Sequence, residues 1–585
     1  MGFIIVIGEI WYGGNTDMVD LEQIYLYKPF KVRNADEFEL ESVLDLFVDP
    51  TEGLNNPFDY ENAIIKGSMG SGKTMYLRAN HAYYIYTLVP SIIEETSLVL
   101  PVYIKLSDFQ HISSPKEIYR AFIIKVIEEL SSIYLHLQDA NRLAQIHKGV
   151  TSLPESIFTV DRKISEVFFD LRKLDADEYI EKIQKDLSLT GKFAPKFFEA
   201  SAKYKNSEAL EIKQKKEPGI SDVENAYQKL LGNSGGKILL LIDEAGSINK
   251  SFFKEDGSEF SMFEILMNQL RTSNFIRTKI AIYPHSYSDI LTETRYGDIV
   301  NLQEDIISEG GYESFRRRGL NLIQKYISTA TGQKVEPDFI FDLEEKEDQS
   351  DVIEQIINAS SGNMRRFVQL LDLSANEAYR EHKGKGKISS RHAISALKIH
   401  AESMERNFND IDREFLTALS NVCRTRSAYR FRFPYKAPML SKFINKSSEY
   451  NILNIVEVGT GRRGTTYAFD YAYCVYKDIP THYVFNTERI ERTRSRKRGE
   501  WISRITNISE NLIEHSSLPG KIEGTISYIN KDKGFVKTED GREYFWMASN
   551  IIEEDRGKPL MIGRRLRFYP IDYGQSEVAQ NIEVL

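Results

Sequence analysis

Cysteine is nearly missing from this chain: Cys423 and Cys474 are the only two in 585 residues. Two thiols are too few for a disulfide framework or a cysteine-built structural zinc site, and they fit a reducing compartment, so a cytoplasmic protein is expected. No apolar run approaches the ~20 residues that a bilayer-spanning helix needs, so no membrane partner is expected. The short run Phe3 to Ile7 lacks a basic flank and is closed by Glu9, which is not the pattern of a signal peptide. Internal repeats, low-complexity tracts and recognisable nuclease or effector motifs are absent as well. Positive charge is also scarce on average, at a formal net charge of -9. That average hides an asymmetry, because basic residues outnumber acidic ones from Ile411 to Lys477 and again from Glu488 to Arg498. An acidic chain with a basic C-terminal zone has a local footprint for a polyanion.

Apolar residues make up 41% and charged residues 28%, the balance of a folded protein, and the length calls for several domains rather than one core. The most informative stretch is Gly67-Ser68-Met69-Gly70-Ser71-Gly72-Lys73-Thr74. In this spacing the glycines let backbone N–H groups curl around phosphates, Lys73 reaches the terminal phosphates, and Thr74 offers a hydroxyl to Mg²⁺. The strand-like Ala63-Ile64-Ile65 precedes it and a helix-compatible run follows, which is the context such a loop requires. A second run, Lys237-Ile238-Leu239-Leu240-Leu241-Ile242-Asp243-Glu244, reads as a buried central strand with two carboxylates at its exit. Asp243 is expected to hold magnesium and Glu244 to orient and deprotonate the attacking water. ATP and Mg²⁺ are the implied cofactors, and catalysis is assigned to Glu244 and Lys73.

Further strand-like runs at Leu98 to Leu106 and Lys279 to Tyr283 alternate with helical patterning, which implies a parallel sheet with helices on both faces. Residues 1–60 read as an N-terminal collar and 61–309 as the P-loop core, with a helical insertion over about 118–231. Residues 310–405 read as a helical lid, 406–486 as a winged helix, 487–518 as a basic linker and 519–585 as a strand-rich barrel. In the winged region, Asn451 to Val458 and Thr465 to Tyr476 are expected as two strands joined by the basic turn containing Arg462 and Arg463, with Arg424, Arg426, Arg430 and Arg432 adding positive charge nearby. Lys383-Gly384-Lys385-Gly386-Lys387 reads as a solvated loop.

The phosphate loop, the Asp-Glu strand, the polar Pro284-His285-Ser286 and Gly362-Asn363-Met364-Arg365-Arg366 together resemble AAA+ ATPases of the origin-recognition (ORC) branch over residues 40 to 405. That resemblance implies γ-phosphate sensing by Ser286 or His285, a lid contact from Arg365, and Arg295 reaching the ATP of a neighbouring subunit in a homo-oligomer. A winged helix after the lid suits the same branch and places Arg462 and Arg463 against a phosphate backbone. STAND signalling ATPases share much of this core.

The final unit resembles a cold-shock domain, an OB-type barrel. Gly524-Thr525-Ile526-Ser527-Tyr528-Ile529-Asn530-Lys531-Asp532-Lys533-Gly534-Phe535 matches its opening motif, while Met547 and Ala548 depart from it. The resemblance implies base stacking on Tyr528, Phe535 and Phe545. The fold expected is an α/β P-loop NTPase core with a helical lid, winged helix-turn-helix and C-terminal OB/cold-shock-like β-barrel. Its function is expected to be that of an ATPase engaging nucleic acid, DNA favoured and single strands or RNA also suited. The alternative is a STAND-like signalling ATPase, such as an anti-phage sensor or adaptor acting with a separate effector protein.

Overall fold

The computed structural model describes residues 20–115, 237–248, 276–283, 297–303, 308–344, 351–426, 428–432, 440–444, 451–458, 465–481, 505–508, 521–572 and 577–585, with shorter stretches of 117–144 and 252–275 and residue 306. Two compact units divide the chain: one is Asn34–Gln303, and the other joins the segment up to Arg33 to everything from Glu304. The first described helix, α1 (Leu21–Tyr27), therefore goes with the second unit.

In the first unit, α2 (Leu40–Leu46) leads to β1 (Ala63–Lys66), α3 (Lys73–Tyr86), β2 (Val99–Lys105), β3 (Lys237–Asp243), β4 (Ile276–Ile282) and β5 (Asp298–Asn301). The five strands form one sheet in the order β2-β3-β4-β1-β5, every pair parallel. Successive residues of β3 serve opposite faces: Ile238, Leu240 and Ile242 join one buried cluster, and Leu239 and Leu241 join another with Tyr76, Leu77 and Ala79 of α3. Both faces are covered, which is why β3 is apolar throughout instead of alternating. The α/β core read from the sequence is the fold observed.

The described positions of 117–133 are helical, and Ile118, Phe122, Val126, Leu130 and Ile133 are buried against the sheet at spacings of three and four. The beginning of the expected insertion is thus a core helix covering one face. Lys279 of β4 is fully buried and donates to Pro57 O, Asp59 Oδ1 and Asn80 Oδ1 at 2.8, 2.8 and 3.0 Å. Burial pushes its pKa down against the opposing pull of Asp59. Three acceptors satisfy the buried ammonium and tie β4 to α3 and to the approach segment.

The second unit contains α4 (Glu309–Thr331), α5 (Val352–Ser360), α6 (Met364–His382), α7 (Ser390–Glu405) and α8 (Asp410–Thr425). The collar read over residues 1–60 is divided by the fold, because its first described part packs here. Phe30 is buried beside Tyr326 and Phe341, Arg33 pairs with Asp372, and Tyr25 Oη donates to Gly386 O at 2.8 Å. The Lys383–Lys387 stretch is solvated only at its lysines, since a Cβ on Gly384 would lie 2.9 Å from the Glu22 Cα.

Strands β6 (Arg430–Arg432), β7 (Leu453–Glu457), β8 (Thr466–Phe469) and β9 (Thr506–Asn507) make a small sheet ordered β7-β8-β6-β9. The second strand expected at Thr465 to Tyr476 ends at Phe469, and Tyr471–Tyr476 is a helix, α9. The reason is Asp470, whose Oδ1 accepts the Ala472 and Tyr473 N–H groups and starts the turn. Asp470 also receives both Arg366 Nη groups at 2.7 Å, with each side chain 1% exposed. Tyr473 and Lys477 close on Glu405 of α7, so α9 is fastened to that helix by buried polar contacts. Residues 459–464, including Arg462 and Arg463, lie outside the described residues.

From Ile522 the chain forms a closed barrel, β10 (Ile522–Asn530), β11 (Lys533–Thr538), β12 (Glu543–Met547), β14 (Glu577–Val584) and β13 (Arg565–Asp572) in that order around the ring. Val536, Tyr544, Trp546, Leu566 and Phe568 fill its interior.

Removing one member of a buried, bidentate ion pair leaves an uncompensated charge. Asp470→Ala should therefore destabilise the second unit by about 3–5 kcal/mol, read as a lowered urea midpoint. The double change Arg366→Met with Asp470→Leu should recover much of that loss.

Candidate nucleotide site

In the order β2-β3-β4-β1-β5 the β1–β2 connection runs to one side of β1 and the β4–β5 connection crosses to the other. Ligands of open parallel sheets bind at the carboxyl ends of the strands, where this reversal opens a crevice. The loop Gly67–Gly72 occupies that place. It leaves β1, and Lys73 begins the 14-residue helix α3. Gly72 has φ +99°, a left-handed conformation that L side chains resist, and a Cβ on Gly67 would lie 2.3 Å from Ser71 Oγ. The backbone conformation calls for glycine at Gly72, and a side chain at Gly67 would displace the Ser71 hydroxyl. Lys73 is buried and its Nζ donates to Gly67 O and Ser68 O at 2.8 and 2.7 Å. Thr74 follows in the first turn of α3, half-buried.

Two strands away, Asp243 ends β3 and is 2% exposed. Its side chain lies on the same sheet face as Leu239 and Leu241, the face covered by α3. Oδ1 accepts the Glu244 N–H at 2.7 Å, and Oδ2 accepts the Tyr103 hydroxyl at 2.9 Å. Glu244 leaves the strand at φ +57°, ψ +37°, a conformation that stores strain for a residue with a Cβ and turns the chain sharply beyond Asp243. Carboxylate and hydroxyl oxygens are hard donors of the kind Mg²⁺ takes, so Asp243 and Thr74 fit that ion.

Two tyrosines in this site escape a sequence reading. Tyr283, just beyond β4, lies with its ring centroid 4.1 Å from Lys73 Nζ, and a Cβ on Gly246 would strike that ring at 2.5 Å. Tyr103 precedes by two residues the Lys105 that pairs in register with Asp243, so it shares Asp243's face of the sheet. Burial, then the Asp243 charge, pushes the Tyr103 hydroxyl far above its ordinary pKa and keeps it a donor. Only the β2–β3 register could have revealed this pair, and the long interval between the strands in sequence conceals it.

Of the other residues singled out in the sequence, His285, Ser286 and Arg295 lie outside the described residues. Arg365 is half-buried on the first turn of α6, in the second unit, where Asn363 Oδ1 caps the helix by accepting the Arg366 N–H at 3.0 Å. Arg432 is half-buried and donates to Thr466 Oγ1 at 3.0 Å while pairing with the exposed Glu457 at 3.4 Å. On the barrel, Tyr528 of β10 pairs in register with Phe535 of β11, which pairs with Phe545 of β12. Their rings form a row with centroids 6.3 and 5.7 Å apart, and Tyr528 and Phe535 are 52% and 40% exposed. Lys533 and Lys537 flank Phe535 on the same outward face. The structure places these three aromatics side by side.

Residues 28–255 match the ORC-CDC6-like family model. The matched residues include the phosphate loop, β2, β3 and the Asp243-Glu244 pair. No curated protein matches the chain. Among solved structures, the Aeropyrum pernix ORC1 protein in complex with DNA is 12% identical with a TM-score of 0.28, over 78% of this chain and 96% of that one. Drosophila ORC bound to DNA is 11% identical with a TM-score of 0.29, over 79% and 93%. Cdc6p from Pyrobaculum aerophilum is 12% identical with a TM-score of 0.27, over 77% and 97%.

One further cluster brings three metal-ligand side chains together, Glu381 and His382 of α6 with His392 of α7. His392 Nδ1 accepts the Ser389 N–H at 3.0 Å, which leaves the ring proton on Nε2, 3.0 Å from Glu381 Oε2. Coordination through Nε2 would require a proton on Nδ1, directly against the Ser389 N–H. The cluster is a clamp between two helices. Burial lowers the His392 pKa, so folding favours its neutral form. The clamp's stabilisation is therefore present above the ordinary imidazole value of about 6.5 and lost as pH falls below it. The urea midpoint should drop more steeply from pH 7.5 to 5.5 in the wild type than in His392→Asn.

Proposed function

We propose that this chain is an ATP-binding and ATP-hydrolysing enzyme that engages nucleic acid, with nucleotide state controlling its homo-oligomeric assembly or its hold on the nucleic acid. The observation that carries the reading is the glycine loop Gly67–Thr74 and the Asp243-Glu244 exit lying at the same carboxyl edge of one parallel sheet. The similarity of residues 28–255 to the ORC-CDC6-like family supports it.

In this reading the loop N–H groups and the start of α3 hold the phosphates and Lys73 bridges the terminal ones. Thr74 and Asp243 would hold Mg²⁺, which neutralises charge on the phosphate oxygens. Glu244 orients water and takes its proton. Ser286, Arg365 and Arg295 are proposed as γ-phosphate sensor, lid contact and inter-subunit arginine.

Residues 406–486 are proposed as a winged helix that grips duplex DNA through Arg462 and Arg463, and residues 519–585 as a barrel that stacks unpaired bases. The aromatic row across β10, β11 and β12 supports the second assignment, because its spacing and exposure suit flat, apolar faces beside lysines.

Lys73→Ala should abolish nucleotide binding, and Glu244→Gln should bind ATP without turning it over; equal hydrolysis by Glu244→Gln and wild type would remove Glu244 from its role. For the barrel, Phe535→Ala should weaken single-stranded binding by about 1–3 kcal/mol and leave duplex binding little changed. Neutralising Arg462 and Arg463 should instead flatten the salt slope of duplex binding by about two units, one for each lost phosphate contact. Binding isotherms across a salt series separate the two modules.

A further inference from the structure

The Tyr103 hydroxyl lies 2.9 Å from Asp243 Oδ2, and a carboxylate can only accept, so the tyrosine is the donor. The other oxygen, Oδ1, is held from the opposite side by the Glu244 N–H at 2.7 Å. Asp243 is therefore gripped at both oxygens by groups anchored in different elements, one on β2 and one in the strained turn after β3. Terminal carboxylate torsions are otherwise broad. Two fixed donors hold the carboxylate plane and leave the remaining lone pairs aimed in fixed directions. Tyr103 is itself restrained, with the His81 ring of α3 at 5.8 Å and a backbone locked in the β2–β3 register.

We propose that Tyr103 is a positioning residue for the divalent cation of the nucleotide site, orienting Asp243 so that its free lone pairs meet the small octahedral shell of Mg²⁺. The inference rests on the ATPase reading of Asp243 and goes beyond it, because nothing in the phosphate loop or the Asp-Glu motif assigns a role to β2. Groups that hydrogen-bond to a metal ligand set its direction, and losing one typically weakens metal affinity by roughly 10–100-fold. Magnesium suffers most from a misaligned ligand, because it demands near-ideal octahedral geometry while calcium accepts irregular shells.

The test is a titration of the full-length chain with a fluorescent ATP analogue, first in EDTA and then with increasing MgCl₂ or CaCl₂, comparing wild type, Tyr103→Phe and Asp243→Asn. Phenylalanine keeps the ring packing and removes only the donor. Tyr103→Phe should bind the analogue in EDTA as the wild type does. It should need at least about tenfold more Mg²⁺ to tighten that binding, with a smaller rise for Ca²⁺ and an unchanged thermal unfolding temperature. Coincident Mg²⁺ curves for wild type and Tyr103→Phe, with the Mg²⁺ effect lost in Asp243→Asn, would overturn the inference and leave the ATPase reading standing. A Tyr103→Phe protein weakened equally in EDTA, or with a lowered unfolding temperature, would make Tyr103 a packing residue and also overturn it. A full Mg²⁺ effect in Asp243→Asn would remove Asp243 from the cation site, and the inference would fall with that assignment.

Discussion

Everything proposed for the first unit depends on parallel pairing across β2, β3, β4 and β1. Parallel strands bring all their carboxyl ends to one edge, so the loop after β1, Asp243 after β3 and Tyr283 after β4 converge there despite their separation along the chain. A parallel sheet must be covered on both faces. The alternation of Leu239 and Leu241 with Ile238, Leu240 and Ile242 between two cores shows how β3 satisfies that demand. The same alternation places Asp243 on the α3 side. An apolar strand thereby delivers one carboxylate to the helix that begins at Lys73.

The second unit is organised by a different constraint, the solvation of buried charge. Arg366 and Asp470 lie 104 residues apart and are almost wholly shielded from water, so each needs the other's full hydrogen-bonding geometry. Asp470 also begins α9, and α9 reaches Glu405 through Tyr473 and Lys477. One carboxylate thus ends a strand, starts a helix and fastens both to α6. Asn363, Arg365 and Arg366 share one helix start. Arg366, which fixes the small sheet, follows directly on Arg365.

The barrel sets a row of aromatic and basic side chains on a chain of net charge -9. Alternation along β11 turns Val536 inward and Lys533, Phe535 and Lys537 outward, and the registers with β10 and β12 align Tyr528 and Phe545 beside Phe535. Met547 lies on the same strand as Phe545, 40% exposed, where the resembled family carries a histidine.

By itself the sequence determined those features whose physics is local. The Gly67–Thr74 spacing, the apolar β3 with its acidic exit and the aromatic positions of the barrel's opening motif each state their requirement within a few residues. Three features were decided only by tertiary structure. Thr465 to Tyr476 carries strand-forming aromatics throughout, yet Asp470, held in place by the distant Arg366, caps Ala472 and Tyr473 and starts a helix in the second half of that stretch. The helical positions described within 117–133 read like any amphipathic pattern, and only their burial against the sheet makes them part of the core. Tyr103 looks like any strand aromatic until the register of β2 with β3 sets its hydroxyl on Asp243. Hydrogen bonds between residues more than a hundred positions apart leave no period or spacing in a sequence, because the fold that closes the distance is what creates them.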